Sequence, residues 1–154
     1  MAAQPADVLA GRASVIDGDT IEIRGERVRL FGIDAPEMGQ HCTDGAGKSY
    51  RCGQKAALAL DSRIGNGVVT CQVQDRDRYG RKVAVCRVFG EDLGAWMVGF
   101  GWALAYRSFS MRYVPAEQLA QQRKAGLWPG SFQPPWEWRS GHSASHDISP
   151  RDPN

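Results

Sequence analysis

Residues 12–37 read RASVIDGDTIEIRGERVRLFGIDAPE, and their alternation decides the fold. Ala13, Val15, Ile21, Ile23, Val28 and Leu30 recur at a period of two, the spacing that puts side chains on one face of a strand. Asp17-Gly18 and Gly25-Glu26 interrupt the pattern with residues suited to tight turns. The stretch is predicted to run strand, turn, strand, turn, strand. Its charges are placed just as regularly: Asp17, Asp19, Asp34 and Glu37 fall at turns or strand ends, with Arg29 between them. Carboxylates so placed can hold a hard cation through oxygen, and an arginine can hold a phosphate. Cation, phosphate and a spare glutamate together point to hydrolysis of a phosphodiester.

Downstream, residues 54–64 are helix formers, with Ala56, Ala57, Leu60 and Ile64 along one face and Gly65-Asn66-Gly67 as a stop. Residues 68–74 and 82–89 are predicted strands around the turn Asp77-Arg78-Tyr79-Gly80. A second helix fits residues 92–101, with Asp92 as N-cap and Leu93, Trp96, Met97 and Phe100 at helical spacing. A third fits residues 116–125, opening after Pro115 with Glu117 in its first turn and stopping at Gly126. Pro129, Pro134 and Pro135 break regular structure past Trp128. Residues 140–154 lack apolar periodicity and are predicted to be a disordered tail on a domain spanning residues 8–139. Five strands in the order three, helix, two, followed by helices, suit an α+β fold. The expectation is a five-stranded antiparallel oligonucleotide-binding barrel with three helices, one of them plugging it.

With 154 residues, 42% of them hydrophobic, the chain suits one domain around one core. A formal net charge of +2 is too small to imply wholesale binding of nucleic acid. Arg76, Arg78, Arg81 and Lys82 nevertheless crowd one segment, and Arg107 and Arg112 another, enough for a local phosphate-binding face. No apolar run approaches the ~20 residues of a spanning helix. Residues 1–9 have neither the basic start nor the apolar run of an export signal, so an exported form would have lost it.

Four cysteines allow three connectivities. Cys71 and Cys86 are equidistant from the midpoint between Arg78 and Tyr79, so in a hairpin they face each other within bridging reach. Cys42 and Cys52 flank one loop, and the favoured pairing is 71–86 with 42–52. That pairing implies an oxidising compartment. Reduced thiols are the alternative. A zinc site is disfavoured, because there is no CxxC and His41 is the only histidine nearby.

Each motif has an ordinary structural explanation by itself: Asp17-Gly18 as a hairpin turn, Arg29 as an exposed strand residue, Asp34-Ala35-Pro36-Glu37 as a helix start. In combination they are specific. VIDGDTIEI at 15–23, RLFGIDAPE at 29–37, DRYGRKVAV at 77–85 and GWALAY at 101–106 precede a helix ending in Gly126-Leu127-Trp128. Over about residues 12–139 this resembles the staphylococcal nuclease, or thermonuclease, family. The resemblance implies the barrel with three helices, and an endonuclease that hydrolyses DNA and RNA with Ca²⁺, leaving the phosphate on the 3′ side. It implies Asp19 and Asp34 as metal carboxylates and the Ala35 carbonyl as a further ligand, at a position where the family often has threonine. Glu37 is then the general base, and Arg29 and Arg81 are catalytic arginines that clamp the phosphate. Arg78, Tyr79 and Tyr106 match positions that line the nucleotide pocket.

The loop from Met38 to Cys52 carries two cysteines absent from the staphylococcal type and borders the site. Strict alternation would put Arg29 and Asp34 on opposite faces, so their convergence needs a bend at Gly32. The expected protein is a secreted or periplasmic monomer acting on DNA and RNA, single strands preferred, with no membrane partner. The rival expectation is a barrel that has lost catalysis and only grips nucleic acid or protein. The presence of Asp19, Arg29, Asp34, Glu37 and Arg81 together favours the enzyme.

Overall fold

The structure, a computed structural model, describes residues 7–145 and the side chains of residues 7–142. Strands β1 (Val8–Gly11), β2 (Ala13–Asp17), β3 (Thr20–Ile23), β4 (Glu26–Leu30) and β5 (Ile33–Asp34) lead into a loop that carries β6 (Cys42–Thr43) and β7 (Ser49–Tyr50). Helix α1 (Cys52–Ile64) is followed by the hairpin of β8 (Val69–Arg76) and β9 (Lys82–Val88). The described residues continue through β10 (Glu91–Asp92), α2 (Leu93–Gly99), β11 (Leu104–Ala105), α3 (Val114–Arg123) and α4 (Pro135–Ser145).

The main sheet runs β1-β8-β9-β4-β3-β2, with β10 added beside β9. Its two outermost members, β1 and β2, are halves of one extended segment parted only at Arg12, so the sheet curls round onto itself. Counted as one strand, they give the expected five-stranded barrel. One seam departs from the antiparallel expectation: β4 and β9 pair in parallel, with Arg29 beside Val83. A parallel seam requires a long crossover, which α1 and β8 supply.

The alternation read from residues 12–33 is the core. Ile21, Ile23, Val28 and Leu30 pack with Val69, Cys71, Ala84 and Cys86, and with Ala56, Leu60 and Ile64 of the plugging helix α1. Gly18 lets the β2–β3 turn press against that helix, since a Cβ there would lie 2.8 Å from Ala35 Cβ and 2.9 Å from Ala56 Cβ. The β3–β4 turn is centred on Arg24-Gly25, one residue earlier than expected, with φ of 52° and 80°. Two left-handed residues in succession match the twist of the flanking strands. Cys71 faces Cys86 across the β8–β9 hairpin, and both Cys71–Cys86 and Cys42–Cys52 are disulfides. The register shifts between Val73 and Asp75, so the hairpin tip is centred on Tyr79 rather than beside it.

At Gly32 the chain turns with φ of 76°, and the ring of Tyr113 closes over the turn, 3.1 Å from where a Cβ would stand. Tyr113 donates its hydroxyl to Asp92 Oδ2 at 2.8 Å, and Asp92 Oδ1 accepts from Gly94 N at 2.8 Å and Ala95 N at 3.2 Å. Asp92 is thus the expected N-cap of α2 and also the anchor of the tyrosine that braces the Gly32 turn. Helix α3 starts two residues earlier than expected and ends at Arg123, capped by Lys124 in the left-handed conformation with φ of 53°.

A fourth helix corrects the expectation of three. Helix α4 begins at Pro135, a residue read as a breaker, because proline is preorganised for the first helical turn. It continues to Ser145, into the segment expected to be a tail, and residues 146–154 lie outside those described.

Asp92→Ala should lower the unfolding free energy by about 1–3 kcal/mol, from a lost helix cap and a buried tyrosine hydroxyl left without its acceptor. Denaturant unfolding measures this, and an unchanged midpoint would show that the brace carries no stability.

Candidate active site

Asp19 is only 3% exposed. Its Oδ2 accepts from Ala35 N at 2.9 Å and its Oδ1 from Thr20 Oγ1 at 3.0 Å, while Arg29 Nη1 lies 3.3 Å from Oδ2. Burial works to raise the carboxyl, but the Arg29 charge and the hydrogen bonds prevail and hold it below the usual range. Asp17 lies on the same turn, and its Oδ1 accepts from Asp19 N at 3.1 Å. Burial, and then the charge of Asp19, push Asp17 up to about 8.

The bend at Gly32 brings Arg29 and Asp34 together, as the sequence required. Asp34 is fully buried, with Arg29 Nη2 3.4 Å from its Oδ1, and the same nitrogen donates to Ile33 O at 3.2 Å. Arg29 therefore spans both carboxylates expected to hold a metal. Burial raises Asp34 to about 6, outweighing the hydrogen bonds from Arg139 and the charge of Arg29.

Glu37 follows β5 on a turn held by Gln40, whose Oε1 accepts from Glu37 N at 3.2 Å. Gln40 is itself fully buried and donates from Nε2 to Gln133 O at 2.7 Å, tying the turn to the approach of α4. From α4, Arg139 reaches back into the site. Its Nη1 donates to Asp34 Oδ1 and Glu37 Oε2, and its Nη2 to Asp34 Oδ2, all at 2.8 Å. Sequence reading missed both Gln40 and Arg139. Each acts across a long span of chain, and no local periodicity announces either.

The β8–β9 hairpin tip supplies the opposite wall. Asp77 Oδ1 accepts from Tyr79 N and Arg81 N, both at 2.9 Å, and its Oδ2 accepts from Arg81 Nε at 2.6 Å. The clamp uses only Nε of Arg81. Its two terminal nitrogens have no protein partner among the described residues. The guanidinium groups of Arg78 and Arg81 lie 5.9 and 5.6 Å from the Tyr79 ring, which is 75% exposed. Partial burial works to raise Asp77, but the hydrogen bonds from Arg81 and Tyr79 prevail and hold it below its ordinary value of 3.8.

Asp19, Arg29, Glu37, Arg78, Tyr79, Arg81 and Tyr106 all line one cleft of about 500 Å³, together with Asp17, Phe109 and Arg139. Asp34 and Ala35 lie beneath it, 0% and 2% exposed. The ring of Tyr106 stacks at 5.5 Å on Trp136 of α4. The disulfides stand outside the cleft lining. Among the described residues no three His, Cys, Asp or Glu side chains form a ready-made metal cage. The side-chain donors at the cleft floor are nonetheless all carboxylate oxygens, here paired with Arg29 and Arg139, a set suited in kind to a hard cation that keeps water ligands.

The chain belongs to the staphylococcal nuclease homologue family, whose model matches residues 27–130. It is 45% identical over 126 residues to a succinoglycan biosynthesis protein, ExoI, of Rhizobium meliloti (strain 1021), covering 80% of this chain and 66% of that one. It is 33% identical over 142 residues to an uncharacterized endonuclease of Escherichia coli O157:H7, covering 87% of this chain and 86% of the relative. A probable staphylococcal-like nuclease of Oryza sativa subsp. japonica is 34% identical over 125 residues, 79% of this chain and 35% of that protein.

The depressed Asp77 carboxyl contributes stability that is present above its unfolded value and is lost as pH falls through its lower folded value. In Asp77→Asn the deficit relative to wild type should be constant above pH ~5 and shrink as pH drops below about 4. Denaturant unfolding of both proteins between pH 6 and pH 2.5 checks this, and a deficit independent of pH would remove the charged clamp.

Proposed function

We propose that the protein is a Ca²⁺-dependent endonuclease that hydrolyses phosphodiester bonds of DNA and RNA with little sequence preference and leaves the phosphate on the 3′ side. The observation that carries this reading is the span of Arg29 across Asp19 and Asp34, with Glu37 and Arg81 on the same cleft. Asp19, Asp34 and the Ala35 carbonyl would hold the ion. When bound, calcium polarises a phosphoryl oxygen and lowers the charge that a nucleophile must approach. Arg29 and Arg81 present paired donors to the phosphate oxygens and stabilise the charge that builds up in the transition state. Glu37 accepts the proton of the attacking water or orients it. Arg78, Tyr79 and Tyr106 contact the nucleotide, the tyrosines offering rings on which an unpaired base can stack, which favours single strands.

Two disulfides support function in an oxidising compartment, outside the cell or in a periplasm. No helix among the described residues is long and apolar enough to cross a membrane.

Single-stranded DNA and RNA should both be cleaved in Ca²⁺ and left intact in chelator. Full cleavage in chelator would overturn the metal assignment, and tight binding without cleavage in Ca²⁺ would leave a nucleic-acid-binding barrel.

Arg29→Lys and Arg81→Lys should each lower turnover more than ~100-fold, about 3 kcal/mol of transition-state stabilisation, because an ammonium cannot reproduce the fork. A near-normal rate in either variant, with an unchanged melting temperature, would remove that arginine from the chemistry.

A further inference from the structure

Helix α4 is fixed at several points round the cleft. Pro135 is buried, Trp136 stacks on Tyr106, and the ring of Trp138 lies 3.8 Å from where a Gly39 Cβ would stand. Gln40 holds the carbonyl of Gln133 just ahead of it. These contacts deliver Arg139, 34% exposed, onto the carboxylates at the cleft floor. Both oxygens of the fully buried Asp34 are taken by its two terminal nitrogens, and Glu37 Oε2 is taken as well.

We infer that Arg139 is a built-in counter-ion that occupies the Asp34 carboxylate in place of the cation while also holding Glu37, and that it has to leave before a divalent cation can bind. The inference rests on the calcium reading above and deepens it. A Ca²⁺–oxygen bond is ~2.3–2.6 Å long, and a guanidinium nitrogen 2.8 Å from that same oxygen would stand against the ion with like charge. The ion would have to compete for this one carboxylate with two guanidinium groups, Arg139 at 2.8 Å and Arg29 at 3.4 Å. The same clamp takes one oxygen of Glu37, Oε2, so releasing Asp34 also releases that side chain. Arg29 alone cannot balance Asp19, Asp34 and Glu37, which is why a second guanidinium settles there. Arg139 thereby sets the cation concentration at which the site is taken.

Calorimetric titration of Ca²⁺ into the purified protein, without nucleic acid, reads the competition directly. Arg139→Gln should bind Ca²⁺ about tenfold tighter than wild type or better, since affinity is reduced by the fraction of molecules whose seat is occupied. Arg139→Lys keeps the charge but cannot clamp two oxygens, and should fall between them. Equal affinities for wild type and the Gln variant overturn the inference and leave the calcium reading intact. Absence of binding to all three proteins removes both. A Lys variant indistinguishable from wild type would assign the effect to charge at a distance and also overturn it. If the Gln variant fails to fold, wild type alone decides. Nitrogen-15 signals of the clamped Arg139 guanidinium should be separate in chelator and merge at saturating Ca²⁺, and signals that stay separate overturn the inference.

Discussion

An ionised carboxylate taken out of water is costly unless it is paired and fully hydrogen-bonded. Asp19, 3% exposed, meets that condition with groups drawn from three places: the Thr20 hydroxyl beside it, the Ala35 amide after β5, and the Arg29 guanidinium on β4. Satisfying this one side chain fixes the β2–β3 turn, the β4 strand and the stretch after β5 relative to each other. The arginine that pairs with Asp19 then has its second terminal nitrogen near Asp34, so the second carboxylate is placed by the same constraint. The acidic floor is a consequence of that mutual satisfaction.

The frame around the floor is held in large part by groups outside the cleft lining. The Gly32 turn that swings Asp34 round is covered by Tyr113, and Tyr113 is anchored by the cap of α2. The turn bearing Glu37 is tied through Gln40 to the approach of α4. On the far wall Asp77 spends its carboxylate on the backbone of its own turn and on Arg81 Nε, which aims the rest of that guanidinium. Such rigid support is what a pair of phosphate-binding forks needs, since small displacements from the productive geometry are expensive in rate. The supporting side chains are mostly buried and neutral or internally paired, and the groups with unspent capacity face the cleft.

What was legible in the sequence was what local periodicity encodes. Residues 13–30 alternate, so their strands and inward faces could be read. Cys71 and Cys86 faced each other because hairpin pairing is a matter of counting, and the count survived because the bulge falls between them and the tip. The turn at Arg24-Gly25 was misplaced by one residue, since a non-glycine residue in a left-handed conformation leaves no compositional mark. Helix α4 was read as prolines followed by tail. Its apolar contacts come from two tryptophans rather than a repeating stripe, and Pro135 starts it instead of stopping it. The residues read from the family's motifs lie along one cleft or, for Asp34 and Ala35, buried beneath it. Arg139 lies 105 positions from the aspartate it clamps, and only the folded chain relates them.

The same separations dictate the order in which a growing polypeptide can become whole. β5 has no partner until β11 has been made, because Leu104 and Ala105 are the residues that pair with Asp34 and Ile33. Translation at roughly 5–20 residues per second leaves an interval of about 5–20 s between emergence of Asp34 and of Arg139. Through that interval Asp34 lacks its Arg139 clamp. The clamp on Asp34 and Glu37 can therefore close only after every other residue of the cleft has been synthesised.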